Sequence, residues 1–170
     1  EFRRVLFRSL DASKMSAFLG SMPTDSGDRV ILENGSLDTG LRAIMFTDIE
    51  GSTLISTEQG DAAAVEAVER HNAIVRTCLA EYSGSEVKHT GDGVLASFVS
   101  ATKALTAAAA MHQSAAESTN LRIKIGISAG EPVEQSADLY GASVNLAARI
   151  CALAEGGQTL VARTVRDLVL

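Results

Sequence analysis

Two aspartates stand where extended segments of the chain end in glycine-containing turns. Asp48 follows the apolar run LRAIMF and precedes IEGST, and Asp92 lies between two glycines in VKHTGDGVLASF, residues 87–98. A turn aspartate is common because its side chain hydrogen-bonds to nearby backbone groups. Two carboxylates brought together repel each other unless a cation lies between them, and hard oxygen ligands suit Mg²⁺ or Mn²⁺ bound with a phosphate-bearing substrate. The sequence thus leaves two interpretations, solvated turn residues or a metal site, and the pair favours the metal site.

The elements that must position this pair follow from the periodicity of the apolar residues. The run that begins at Leu41 predicts a strand, and the alternation in VKHTGDGVLASF predicts a hairpin of two further strands around Asp92. Helices are predicted from about Asp61 to the Ser-Gly pair at 83–84, and from Ser100 to about residue 118. LRIKIGIS alternates apolar and polar residues, which predicts a strand with one covered face.

The last part of the chain predicts a hairpin or loop followed by a helix, a strand and a second helix. The hairpin or loop passes through Pro132, and DLYGASVNLAARICALAEGG predicts the first helix, which ends at Gly156 and Gly157. QTLVA predicts the strand, and the second helix begins at Arg163.

The order of the first six elements is strand, helix, strand, strand, helix, strand. This order matches the split βαβ arrangement, so we predict an α/β (α+β) fold with a ferredoxin-like palm, a mostly antiparallel sheet with helices on one face. In that arrangement the first strand lies beside the hairpin strands. Asp48 and Asp92 are therefore expected to meet at one edge of the sheet.

Composition excludes several classes of function. The 170 residues carry a net charge of −6, and the cationic residues form no basic stripe, so we expect no nucleic-acid partner. No apolar run approaches the roughly 18 residues that indicate a membrane span, so none is expected in this chain. Cys78 and Cys151 each lie in a helical pattern, and we interpret them as small buried hydrophobes of a protein in the reducing cytoplasm.

Three motifs together carry a resemblance to a known family. FTDIEGST, VKHTGDG and DLYGASVNLAARI, in this order and spacing, resemble the catalytic domain of the class III adenylate and guanylate cyclases. The resemblance implies the nucleotide cyclase catalytic fold, ATP as substrate, cyclic AMP and pyrophosphate as products, and two Mg²⁺ or Mn²⁺ ions per site. It also implies a head-to-tail homodimer whose composite sites lie at the dimer interface.

The resemblance also divides the chain. We interpret residues 1–9 as a non-native, adapter-derived segment, 10–40 as a linker with a short helix at 12–19, and 41–170 as the catalytic domain. The family has later strands and a phosphate-binding lysine, and the sequence ends before them, which predicts a domain truncated at its C-terminus.

The resemblance implies roles for eleven residues. The implied metal ligands are the carboxylates of Asp48 and Asp92 and the carbonyl of Ile49. The backbone turn implied to cradle the triphosphate comprises Ile49, Glu50, Gly51, Ser52 and Thr53, which fits the affinity of helix-start amides for anions. We expect the Glu50 side chain itself to face solvent. Lys88 and Asp138 are implied to read the adenine ring, and Asn145 and Arg149 to orient the ribose and stabilise the transition state.

The residue types agree with these implied roles. Asn145 and Arg149 are four residues apart, so they project from one side of the predicted helix. A lysine can donate to the ring nitrogen of adenine and an aspartate can accept from its exocyclic amine, whereas guanine presents the opposite pattern. Taken singly, Lys88 could be a solvent-facing strand residue, Asp138 a loop acid, and the Asn/Arg pair an ordinary helix surface. None of the three histidines is needed for this chemistry.

Other functions remain alternatives. Guanylate cyclase activity would fit the family, although its members that make cyclic GMP usually carry Glu and Cys or Ser at the base-reading positions. A non-catalytic, cyclase-like nucleotide-binding regulatory module is a further alternative, but such modules usually lose a metal aspartate or the Asn/Arg pair. A diguanylate cyclase shares a similar palm, but TGDGVL lacks the hairpin motif expected of that enzyme.

Overall fold

The computed structural model describes residues 40–118 and 121–169. The predicted linker helix at 12–19 and the segments 1–9 and 10–39 lie outside the described residues. The strands are β1 (Arg42–Ile49), β2 (Ser85–His89), β3 (Val94–Phe98), β4 (Ile123–Gly130), β5 (Val133–Gln135), β6 (Asp138–Tyr140) and β7 (Thr159–Val161). The helices are α1 (Ser52–Gln59), α2 (Asp61–Glu81), α3 (Ala101–Ser118), α4 (Ala142–Leu153) and α5 (Arg163–Val169).

Five of the strands form one sheet in the order β2-β3-β1-β4-β7. β1 pairs antiparallel with both β3 and β4, and only the β4–β7 pairing within this sheet is parallel. β5 and β6 form a separate antiparallel hairpin. The predicted split βαβ order and the mostly antiparallel sheet are therefore confirmed.

The two faces of the sheet carry different helices. Ala43 and Met45 of β1 lie in the larger core with buried residues of α2 and α3, whereas Ile44, of opposite parity, packs with Val144 and Ala147 of α4. The helices of the predicted split βαβ unit, α2 and α3, share one face as expected, and the later helix α4 covers the other face. The reason lies in β4, where a Cβ on Gly126 would stand 2.2 Å from the Cys151 nitrogen, so this glycine lets the α4 backbone lie directly on the sheet.

The structure contains one helix that periodicity did not predict. α1 has no fully buried residue, and its Leu54 is 60% exposed, so it has no apolar stripe that a pattern search could find. The helix predicted in DLYGASVNLAARI begins later than its motif, because residues 138–140 form β6. Both cysteines are free and buried, which confirms that they act as small core residues. Within the described ranges, every helix is too short or too polar to cross a bilayer.

Candidate active site

The register of the central strands brings Asp48 and Asp92 together. Thr47 of β1 lies opposite Val94 of β3, so the β2–β3 turn that carries Asp92 reaches the end of β1. The Thr47 hydroxyl accepts a hydrogen bond from the Val94 nitrogen at 3.1 Å, and a Cβ on Gly93 would stand 2.0 Å from the Thr47 carbonyl oxygen. Only glycine allows this close approach, and the turn therefore places Asp92 against the strand that ends in Asp48.

The carboxylate of Asp92 is held in its ionised form. Its partial burial favours the neutral acid, but hydrogen bonds involving the Ser52 hydroxyl and Asp48, together with the charge of Lys124, outweigh burial and lower the pKa of Asp92. Asp48 is among the groups that influence the pKa of Asp92, so the two side chains lie close together, as the sequence predicts.

A lysine that the sequence analysis did not identify completes this cluster. Lys124 of β4 lies directly opposite Asp48 in the β1–β4 register, and its ammonium group forms an ion pair with the Asp48 carboxylate. The hydrogen bond to Asp48 raises the pKa of Lys124, and the two side chains are only 20% and 29% exposed. Alternation in LRIKIGIS indicated the polar face for Lys124, but the face shared with Asp48 follows only from the strand register.

The cluster fits a divalent metal ion. Two carboxylates in mutual contact offer hard oxygen ligands, and Mg²⁺ is commonly bound through one or two carboxylates plus substrate phosphates and water. In the described part of the chain, no group of three or more His, Cys, Asp or Glu side chains is placed to hold a metal by itself. A metal held here would therefore need ligands beyond these side chains, such as a backbone carbonyl, substrate phosphates or water.

The N-terminus of α1 opens onto the same cluster. Gly51 caps the helix with φ +70°, and the Ser52 side chain hydrogen-bonds to Asp92. Ser52, Thr53, Ser56 and Asp92 contribute polar groups to a cavity of about 350 Å³, and Ile49 of β1 together with apolar residues of α1 and α2 forms the rest of its wall. The helix-start amides and the hydroxyls therefore lie beside the predicted metal ligands.

Glu50 has a different role from its neighbours. Its backbone nitrogen donates to the Arg122 carbonyl at 2.9 Å, and its carboxylate pairs with the Arg122 guanidinium at 2.9 Å and accepts from the Gly156 nitrogen at 2.7 Å. The expectation that this side chain faces solvent freely was wrong, because it ties the end of β1 to the loop after α4. The backbone N–H and the carboxylate of Glu50 are therefore both occupied. Glu50 is excluded from the predicted phosphate-binding turn, which leaves Ile49, Gly51, Ser52 and Thr53.

Lys88 and Asp138 form a pair within one chain. A bulge in β2 between Glu86 and Lys88 shifts the register, so that Lys88 lies opposite Leu95, which faces α4. Lys88 Nζ lies 2.5 Å from Asp138 Oδ2, and Asp138 Oδ1 accepts from the Leu139 nitrogen at 2.8 Å. The hydrogen bond from Lys88 is the main cause that lowers the pKa of Asp138. The structure thus brings the two predicted base-reading residues together.

Asn145 and Arg149 lie on the exposed side of α4. The opposite side of this helix buries Val144, Ala147 and Ile150. In residues 40–118 and 121–169 of this single chain, no hydrogen bond or ion pair links Asn145 or Arg149 to Asp48, Asp92 or Lys124. One chain therefore does not unite all of the predicted site residues.

The histidines have structural environments of their own. His89 pairs with Glu86 at 2.8 Å, and His112 Nε2 is hydrogen-bonded to the Thr159 hydroxyl at 2.9 Å. His71 is fully buried in α2. Burial lowers the pKa of His71 and His112, that of His112 to about 4. None of these interactions joins a histidine to Asp48 or Asp92.

Comparison with known proteins gives one consistent result. Residues 39–169 match the family described as the adenylate and guanylate cyclase catalytic domain. The chain is 35% identical over 153 residues to an adenylate cyclase of Podospora anserina, covering 72% of this chain and 7% of that protein. It is 28% identical over 179 aligned positions to an adenylate cyclase of Schizosaccharomyces pombe, covering 88% of this chain and 10% of that protein. The chain thus spans a small part of these relatives.

A solved structure is similar over most of the described domain. The crystal structure of an adenylate/guanylate cyclase/hydrolase from Silicibacter pomeroyi superposes with a TM-score of 0.62 at 30% identity, covering 75% of this chain and 78% of that one. The sheet order and the helix placement described above are therefore those of a known domain type.

Proposed function

The chain belongs to the adenylate and guanylate cyclase catalytic domain family, and on that premise we propose that it converts ATP into 3′,5′-cyclic AMP and pyrophosphate. One observation carries the choice of ATP, namely the Lys88–Asp138 pair, which is assembled within one chain at 2.5 Å. The ammonium group donates where adenine has an acceptor, and the carboxylate accepts where adenine has an amine. Guanine would set a carbonyl against the carboxylate and an N–H against the ammonium group, and buried polar groups left unpaired are costly.

We propose that Asp48, Asp92 and the Ile49 carbonyl hold two Mg²⁺ or Mn²⁺ ions per site. When bound, such ions lower the pKa of the attacking hydroxyl and offset the charge of the leaving phosphates. The contacts of the chain support this assignment. Ser52 orients Asp92, and Lys124 forms an ion pair with Asp48 and faces the same cluster. The amides and hydroxyls of Gly51, Ser52 and Thr53 supply neutral donors for the phosphate oxygens.

In the proposed reaction, a bond forms between the ribose 3′-oxygen and the α-phosphorus while the bond from that phosphorus to pyrophosphate breaks. Negative charge grows on the phosphate oxygens at that moment, and a guanidinium group aimed there stabilises the transition state more than the ground state. Arg149 has this role in our proposal, and Asn145 holds the ribose by hydrogen bonds. Both are exposed on α4, where a substrate can reach them.

We further propose that the active form is a two-fold, head-to-tail homodimer. This proposal is supported by the absence, among the described residues, of a hydrogen bond or ion pair between the aspartate pair and the exposed Asn145 and Arg149. In such a dimer each composite site takes Asp48 and Asp92 from one protomer and Lys88, Asp138, Asn145 and Arg149 from its partner.

The test is a product assay on the full chain with ATP or GTP in the presence of Mn²⁺. The expected result is cyclic AMP from ATP, with GTP converted far more slowly. Cyclic GMP as the main product would replace the proposal with guanylate cyclase activity. Tight binding of ATP without any product would instead indicate a non-catalytic nucleotide-binding module.

A further inference from the structure

Tyr140 lies beside the Lys88–Asp138 pair but has no role in the proposed reaction. It is two residues from Asp138 on β6, so both side chains project from the same side of the strand. The centre of its ring is 5.8 Å from Lys88 Nζ, within the range of a cation–π contact. Its hydroxyl also interacts with the Asp138 carboxylate and helps to lower the pKa of Asp138. Tyr140 is 50% exposed, so it does not belong to the core.

We propose that Tyr140 is a specificity-determining positioning residue, which holds Lys88 and Asp138 in the arrangement that accepts a 6-aminopurine and rejects a 6-oxopurine. This inference rests on the proposed function. It adds a residue outside the base-reading pair, and it assigns to that residue an effect on nucleotide choice rather than on the chemical step.

The hydrogen-bonding capacity of Asp138 explains the effect. An ionised carboxylate has about four acceptor positions. Lys88 and the Leu139 nitrogen take two of them, and the Tyr140 hydroxyl lies close enough to contribute to the lowered pKa of Asp138 and to occupy a third. An acceptor position remains for a substrate donor, and its direction is set by the donors around it. An exocyclic amine can donate to it, whereas a carbonyl oxygen would face an acceptor that already carries negative charge.

The aromatic ring fixes the other half of the pair. Lys88 has a flexible four-carbon stem, and its side chain is 45% exposed. The Tyr140 ring and the Asp138 carboxylate together restrict where the ammonium group lies, while two of its three N–H groups remain available. Without the ring, Lys88 would move to other positions in solvent, from which it could also donate to the carbonyl oxygen of a 6-oxopurine. Discrimination would then weaken.

The experiment compares kcat/KM for ATP and for inosine 5′-triphosphate, which carries an oxo group at C6 and a proton on N1. Tyr140→Phe keeps the ring and removes the hydroxyl, and Tyr140→Leu removes both. We expect the preference for ATP to fall about 5-fold in the first variant, the scale of one hydrogen bond. A further fall of about 2–5-fold is expected in the second, the scale of an exposed cation–π contact. KM for ATP should rise while kcat at saturating ATP stays nearly constant.

Glu134→Ala is the matched control. Glu134 lies across the β5–β6 hairpin from Leu139, so it projects from the side opposite Asp138 and Tyr140, and it is exposed. Its truncation changes the same hairpin on the side away from Asp138 and Tyr140, so the preference for ATP should be unchanged.

Two results separate this inference from the proposed function. If the wild type prefers ATP but both Tyr140 variants lose activity equally with the two nucleotides, Tyr140 is merely structural and the inference is wrong, while the proposed function stands. If the wild type makes no cyclic nucleotide, the proposed function fails. In that case the dissociation constants of ATP and inosine 5′-triphosphate are measured instead of kcat/KM. If the ratio of these two constants is the same in the Tyr140 variants as in the wild type, the inference is wrong.

Discussion

Lys124 on β4 lies directly across the sheet register from Asp48 on β1, and the two side chains form an ion pair. The sequence suggests that two neighbouring aspartates need a cation between them. In this chain an ammonium group already lies against one of the two carboxylates. It offsets part of their repulsion, and its position at the sheet edge leaves the remaining oxygen ligands for a metal.

Replacing Lys124 should make the aspartate pair depend on added metal. In Lys124→Met the uncompensated repulsion should lower the melting temperature in EDTA by roughly 3 °C, equivalent to about 1 kcal/mol. Added Mn²⁺ should then stabilise the variant more than it stabilises the wild type. Thermal unfolding with and without Mn²⁺ measures the difference. Lys103→Met, at an exposed lysine of α3, is the control. Equal stabilisation of Lys124→Met and wild type by Mn²⁺ would show that Lys124 does not share the metal site.

Removing either carboxylate should abolish turnover and leave the fold intact. Asp48→Asn and Asp92→Asn are each expected to reduce kcat by about 100-fold or more, the scale of losing one electrostatic stabiliser of a transition state. Circular dichroism should remain that of the wild type, because both side chains lie at the sheet edge rather than in the core. Glu58→Gln on α1 removes one charge from an exposed site and should keep full activity. Full activity in either aspartate variant would return these residues to the role of ordinary turn aspartates.

Reversing the hydrogen-bonding pattern of the base-reading pair should reverse the preference for ATP over GTP. The double variant Lys88→Glu, Asp138→Cys is expected to lose about 100-fold or more in kcat/KM for ATP, because the site would face the adenine edge with unpaired polar groups. Competition between ATP and GTP in one reaction measures this shift. A wild type that converts both nucleotides equally well would contradict the assignment of the pair.

Two inactive variants should complement each other when mixed. In a mixed dimer of Asp48→Ala and Asn145→Ala both lesions can fall in the same composite site, which leaves the other site intact. Random exchange makes about half of the dimers mixed, each with one good site of two, so about a quarter of wild-type activity should return. Sedimentation of each variant alone provides the control for dimer formation. If both variants dimerise and mixing restores nothing, each site lies within a single chain.

His112 should make the domain sensitive to acid. Its folded-state pKa of about 4 lies below the ordinary value of 6.5, so the unfolded state binds more protons between these values. Stability is therefore lost as the pH falls through this window, by about 2 kcal/mol at pH 5. His112→Gln keeps a hydrogen-bond partner for the Thr159 hydroxyl. Between pH 7 and pH 5 the melting temperature of this variant should fall less than that of the wild type. His89→Gln, on the exposed edge strand, should retain the wild-type acid sensitivity. An unchanged pH dependence in His112→Gln would exclude this residue as the cause.

Local pattern determined the order of the elements and much of the candidate site. Three local patterns were sufficient to predict structure: the apolar run before Asp48, the glycines around Asp92 and the alternation in β4. Each depends only on residues that are near neighbours in the chain. Because the split βαβ order leaves few ways to arrange four strands, the meeting of Asp48 and Asp92 could be predicted from the sequence.

Only the tertiary structure decided features that depend on register and on distant contacts. Lys124 faces Asp48 because of one particular β1–β4 register, and a slip of one residue would place it on the other side of the sheet. Lys88 reaches Asp138 because a bulge shifts β2 by one residue. Glu50 bonds to Gly156, which is 106 residues away in the chain. Periodicity indicates which residues are apolar, but it does not indicate which residues of two strands lie opposite each other. That register is set by contacts between residues that are far apart in the chain.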